Sequence, residues 1–203
     1  NGIVCNQAHA PFPSFVPQIR ETYLKRAIEC TAEAGGEICI IHPMNNGTPQ
    51  ENAEMYFELL PFAKEHNVKI ATENMFNWSD FWKHAKFAAC ATPKSFNDHL
   101  DAVNDDHFVA CLDIGHAEMK GIETNSVELT KTLGRKLKCL HIHDNDKWHD
   151  LHNIPFSGNI DYMPIVKALK DINYDGEFTL EASSFLKAYN EENILEGARK
   201  LAE

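Results

Sequence analysis

Short, continuously apolar, β-rich runs recur along the chain at Ile3 to Gln7, Glu37 to Ile41, Val68 to Thr72, Phe108 to Leu112, Leu137 to Ile142 and Glu177 to Leu180. Unbroken apolarity, rather than alternation with polar residues, marks strands buried on both faces, as in a parallel sheet covered by helices. Between these runs, amphipathic stretches predict helices over Gln18 to Ala34, Gln50 to His66, Ser126 to Leu133 and Tyr162 to Ile172, with a further helical region from Ser79 to Asn104. Strand and helix alternate throughout, the pattern of a parallel α/β fold. Gly35-Gly36, Gly134 and Asp175-Gly176 each fall between a helix and the next strand, where a left-handed residue ends a helix. They are scaffold glycines rather than phosphate loops. No linker, low-complexity tract or short repeat interrupts residues 1–203, which are read as a single domain.

The polar residues change this picture, because they cluster at the C-terminal ends of the strand runs. His9 follows the first run, His42 the second, Glu73 the third, Asp113 and His116 the fourth, His141 closes the fifth, and Glu181 follows the sixth. In a parallel barrel all strand ends open onto one face, so residues far apart in sequence converge there. Each residue alone has an ordinary reading as a cap, an ion pair or a hydrogen-bonded loop residue. Six runs out of six ending in His or carboxylate is a different matter, because buried charge is costly unless it is paired or metal-bound. The set therefore points to a divalent-metal site, and its N/O ligands without thiolate suit Mn, Zn, Co or Mg. His66, His84, His99 and His107 fall in helical or loop positions and are read as solvated surface residues.

The segment from His141 to Gly158 is the most polar in the chain and holds four of its eleven histidines. Asp150 and His152, two residues apart before an Ile-Pro turn, are candidates for further ligands. His143 and Asp144 are placed to orient a ligand by hydrogen bonding. Lys147 is a candidate for neutralising an oxyanion or a phosphate.

Nineteen Lys and Arg against thirty Asp and Glu give a net charge of −11, which disfavours a phosphate-backbone partner. Nucleic acid is thus not the expected partner. Six cysteines without a CxxC pair, with Cys39, Cys111 and Cys139 among those inside apolar strand runs, behave as small hydrophobes and read as residents of a reducing cytosol. No apolar run reaches the length of a membrane span.

Taken together, these motifs resemble the xylose-isomerase-like barrels, a superfamily of sugar phosphate isomerases and epimerases, ketose 3-epimerases and endonuclease IV. The resemblance extends over essentially the whole chain. It implies a (β/α)8 TIM barrel in which His-Ala-Pro-Phe belongs to the third strand, so that the six strands here lack the first two βα units, about 60 residues at about 30 per unit. The epimerase branch implies one divalent ion held by Glu73, Asp113, His141 and Glu181, with Glu73 and Glu181 also serving as the acid/base pair and His116 contacting substrate. The implied activity is isomerisation or epimerisation of a small sugar or sugar phosphate through a metal-stabilised enediolate. The endonuclease branch implies instead a zinc phosphodiesterase with up to three Zn, its nine ligands laid on His9, His42, Glu73, Asp113, His116, His141, Asp150, His152 and Glu181. A barrel opened between its first and last strands leaves two parallel edges, which further βα units or self-association into a homo-oligomer would cover.

Overall fold

The computed structural model of the protein describes residues 2–184 and 190–202. Its strands are β1 (Gln7–His9), β2 (Ile38–Ile40), β3 (Lys69–Glu73), β4 (Asn77–Ser79), β5 (His84–Lys86), β6 (Phe108–Asp113), β7 (Leu137–Ile142) and β8 (Glu177–Leu180). Its helices are α1 (Leu24–Glu33, entered through a π-helical turn at Ile19–Tyr23), α2 (Pro49–Glu65), α3 (Pro93–Val103), α4 (Ile114–Ala117), α5 (Ser126–Leu133), α6 (Tyr162–Asp171) and α7 (Glu191–Ala202). Six strands form one parallel sheet in the order β1-β2-β3-β6-β7-β8, curled into part of a barrel. The expected α/β barrel architecture is therefore the one found.

Both faces of the sheet are buried along its inner strands β2, β3, β6 and β7, which is why these read as unbroken apolar runs, whereas the edge strands β1 and β8 stay partly exposed. Ile38, Ile40, Ala71, Val109, Cys111 and Cys139 pack together on the concave side. The intervening Cys39, Ile41 and Ile70 face outward onto Leu24, Ile28, Met55, Tyr56 and Phe96 of the helices. The helices begin where chain chemistry dictates. Thr48 caps α2 in a reciprocal box with Glu51, and Pro49 supplies the first turn. Thr92 caps α3 by accepting the Ser95 N–H, and Pro93 supplies its first turn.

Two elements depart from expectation. The first strand is displaced from Ile3 to Gln7 onto Gln7–His9, which ladders with Ile38–Ile40. Ile3 and Val4 stay 89% and 82% exposed, because no surface among the described residues covers them. The second is the region Ser79 to Asn104, whose first part folds as the antiparallel β4–β5 hairpin, leaving only Pro93–Val103 helical. Lys83 and Cys90 take positive φ, and Pro93 is compatible with a helix only in its first turn.

Among the described residues β1 pairs only with β2 and β8 only with β7, so the sheet has two edges. They approach each other through side chains, Asn6 Nδ2 donating to Glu177 Oε2 at 2.6 Å. No described helix is long and apolar enough to cross a membrane.

Candidate metal centre

The ladder registers determine which strand ends meet. Glu73 ends β3 opposite Cys111, Asp113 ends β6 opposite His141, and Glu181 directly follows β8. Glu73, Asp113 and His141 are almost completely buried. One ligand atom from each of Glu73, Asp113, His141 and Glu181 lies within 4.8 Å of all the others. His141 Nδ1 stands 3.2 Å from Glu73 Oε1 and 3.3 Å from Glu181 Oε2. Neither this nitrogen nor Glu73 Oε2 forms a hydrogen bond to the described residues, although both are buried. Unsatisfied buried donor atoms facing a common point are what a cation would satisfy, so the residues present fit a divalent ion.

Asp113 is held in place from several sides. Its Oδ1 accepts the His116 backbone N–H at 2.7 Å, capping α4, and His143 Nε2 lies 3.1 and 3.2 Å from its two oxygens. The Asn74 amide clasps the Asp113 backbone, accepting its N–H at 2.8 Å and donating to its carbonyl at 2.9 Å. The Asn74 carbonyl in turn accepts from His116 Nδ1 at 2.9 Å. Asn74 thus ties the ends of β3 and β6 together, a part that sequence reading did not assign to it.

The other expected residues gather in two adjoining groups. His9 and His42 join Glu73 in one; His116, Asp150 and His152 join His143 in the other. The outer histidines share a device. Nδ1 of His9, His116 and His152 lies 2.7, 2.9 and 2.8 Å from a backbone carbonyl, that of Ala10, Asn74 and Glu181 respectively. A carbonyl can only accept, so Nδ1 carries a proton in either charge state and Nε2 is the nitrogen left to bind a metal once the ring is neutral. The Nε2 atoms of His9 and His42 are 2.9 Å apart, a separation that requires a proton or a cation between them. Lys147 is placed elsewhere, its ammonium 3.2 Å from Glu118 Oε2.

Charge follows this geometry. Burial alone would raise the Glu73 pKa, but His141, His42 and His9 outweigh it and hold the carboxyl well below the usual range. Glu181 is pushed the other way, raised by burial and by Asp113 and Glu73 against the opposing effect of His141. Burial would lower His141 and His152; their carboxylate neighbours prevail and lift them to about 10 and about 9. His116 is likewise raised well above normal by Asp113 and Asp150 against its burial. In the metal-free protein these imidazoles are therefore protonated at neutral pH. Stabilisation from His141 and His152 is fully present below their unfolded pKa near 6.5 and is lost as pH rises through about 9 to 10. Ligation needs neutral imidazole, so metal binding should release protons and tighten by about tenfold per pH unit for each proton displaced. Calorimetry in buffers of different ionisation enthalpy measures this; a pH-independent affinity between pH 6 and 8 would contradict it.

The centre opens into a cavity of about 440 Å³ lined by Phe12, Phe15, Met75, Phe76, Asn45, Asn77 and the inward-facing ligand candidates, with no Lys or Arg among the described residues of its wall. Cys111 lies just beneath Glu73 and His141. Burial and a hydrogen bond with Cys139 push its thiol up. One further correction concerns His99, expected at the surface. It is buried, its Nδ1 donating to the Ser95 carbonyl and its Nε2 lying 3.1 Å from Asn52 Nδ2.

Residues 3–203 match the family model described as xylose isomerase-like TIM barrel. The chain belongs to this family. Among its relatives is an uncharacterised protein of Methanocaldococcus jannaschii, 26% identical over 204 residues, covering 92% of this chain and 67% of the relative. Two solved structures share the barrel fold. A D-tagatose 3-epimerase-like protein has a TM-score of 0.72 at 24% identity, over 97% of this chain and 78% of the other. The IolI protein, solved with a zinc atom, has a TM-score of 0.70 at 21% identity, over 96% and 72%.

Proposed function

We propose that this family member is a divalent-metal-dependent sugar isomerase or epimerase with its centre at Glu73, Asp113, His141 and Glu181. The observation that carries the reading is the pair Glu73 and Glu181, which face one imidazole nitrogen from two carboxylates and titrate in opposite directions. Two carboxylates whose surroundings drive their pKa values apart are suited to separate acid and base roles. Likeness to the D-tagatose 3-epimerase-like protein and to zinc-containing IolI supports it.

A divalent ion in this site would supply Lewis-acid polarisation of a substrate carbonyl and its neighbouring hydroxyl. The protein's own groups do the rest. Glu181, partly exposed at the cavity wall, takes the proton from the carbon beside the carbonyl and later releases it to solvent; Glu73, ionised in the free protein, first takes up a proton from solvent and then returns it to that carbon. Asp113, fixed by Asn74 and His143, keeps the centre's geometry. His116 Nε2 offers a contact for a substrate hydroxyl, and Phe12, Met75 and Phe76 exclude water. The described wall, which carries no Lys or Arg, suits an unphosphorylated sugar better than a sugar phosphate.

A second reading, a zinc phosphodiesterase, is favoured by one observation: the nine candidate ligands fall into three adjoining groups that share Glu73 or lie beside it. A net charge of −11 and a described wall without Lys or Arg oppose a phosphodiester backbone. Elemental analysis combined with two assays separates the readings. One tightly held ion per chain with ketose turnover is expected; three ions with cleavage of an abasic-site duplex would transfer the assignment to the hydrolase.

A further inference from the structure

We infer that the cavity at the metal centre is the inner compartment of a longer cleft, and that the substrate is a glycoside or oligosaccharide whose second sugar unit lies between Phe15 and the first turns of α2. The inference rests on the sugar isomerase reading above and extends it to the size of the substrate. A second hollow of about 440 Å³ adjoins the first and shares Phe15, Asn45 and Asn46 with it; its remaining wall comes from Arg20, Met44 and the α2 start, including Glu54. The two hollows therefore meet across one aromatic ring and two amides.

The chemistry of that boundary suits a hydroxylated ring. Phe15 is 65% exposed, leaving an apolar face on which the C–H side of a sugar can lie. The Asn45 and Asn46 amides are fixed by neighbours: Asn45 Nδ2 donates to the Phe76 carbonyl at 3.0 Å, and Asn46 Oδ1 accepts from Asn77 Nδ2 at 2.8 Å. Each keeps its other polar atom, Asn45 Oδ1 and Asn46 Nδ2, without a bond to the described residues. That leaves one acceptor and one donor held in place for hydroxyl groups.

Charge excludes the main competitor, a phosphate. Arg20 is the only cation among the described residues of the outer wall, and Glu58 engages it through two hydrogen bonds of 2.8 and 3.2 Å. With Glu51 and Glu54 also present, the outer compartment is acidic and repels an anionic group. A neutral glycosyl unit meets neither obstacle.

The test compares ketoses with ketose-terminated disaccharides on the metal-loaded protein: D-fructose against lactulose, turanose and leucrose, with fructose 6-phosphate as the anionic control. Turnover is followed by deuterium entering the carbon beside the carbonyl. At least one disaccharide should exceed D-fructose in kcat/KM by about tenfold, the effect of one or two added hydrogen bonds. Glu54→Trp, an exposed helical position outside the inner cavity, should fill the outer compartment and abolish that advantage while leaving the D-fructose rate and the thermal melt unchanged. Equal or faster turnover of D-fructose than of every disaccharide would overturn the outer subsite alone, as would an advantage that survives Glu54→Trp. Preference for fructose 6-phosphate would also overturn it. Turnover of none of these sugars would overturn it together with the isomerase reading.

Discussion

Glu181→Gln should lower kcat by about 10²–10⁴-fold while leaving the metal content of the protein near that of the wild type. The amide keeps an oxygen in the position of the carboxylate but cannot accept a proton. Glu181 is the more accessible of the two glutamates, with a side chain 34% exposed against 1% for Glu73, so the substrate reaches it directly. Its raised pKa reflects burial and the neighbouring carboxylates, conditions that strengthen it as a base. Steady-state kinetics and elemental analysis on the same preparation measure both quantities. Unchanged kcat would remove the base assignment, and parallel loss of metal and activity would reduce Glu181 to a ligand.

The second large effect is expected at a residue with no functional group. A Cβ on Gly115 would stand 1.9 Å from His143 Cε1 and 2.4 Å from its Nε2. The ring has nowhere to retreat: it is fully buried and stacked on His152 at 4.0 Å. Gly115→Ala must therefore push His143 away from Asp113, releasing the carboxylate that His143 orients. Loss of such an orienting partner weakens metal binding by about 10–100-fold, and overpacking of the buried site should destabilise the fold by about 1–3 kcal/mol. Metal titration and thermal melting check the two parts. Adding His143→Ala to Gly115→Ala should relieve the steric part of the melting loss without restoring metal affinity. Wild-type affinity in the single variant would show that His143 does not govern Asp113.

The parallel sheet was legible because strands such as Phe108–Asp113 are buried along their whole length and so cannot carry polar residues until their ends. The same logic exposed Glu73, Asp113, His141 and Glu181, whose place at strand ends is a property of linear order. It failed at the first strand, since apolarity signals burial and Ile3 and Val4 have no neighbour among the described residues to bury them, while Gln7–His9 is a strand through its ladder to β2. The hairpin was hidden because Trp78, Phe81 and Trp82 space like one face of a helix until Lys83 turns the chain back. Asn74, Gly115 and His99 escaped for a common reason. Asn74 acts on the backbone of a residue 39 positions away, Gly115 by leaving room for a ring from β7's end, and His99 through a partner 47 positions away. None of these relations leaves a mark in the local sequence.

The central claim is that Glu73 and Glu181 move a proton on a metal-bound sugar, and solvent exchange tests it most directly. The protein is loaded with Mn, Co or Zn and incubated in D2O with a panel of ketoses and ketose-terminated disaccharides. Deuterium should enter at the carbon beside the carbonyl, disappear on chelation and return on reloading, and fall by about 10²-fold or more in Glu181→Gln. Absence of exchange into every sugar of the panel, with the same loaded protein cleaving an abasic-site duplex, would contradict it.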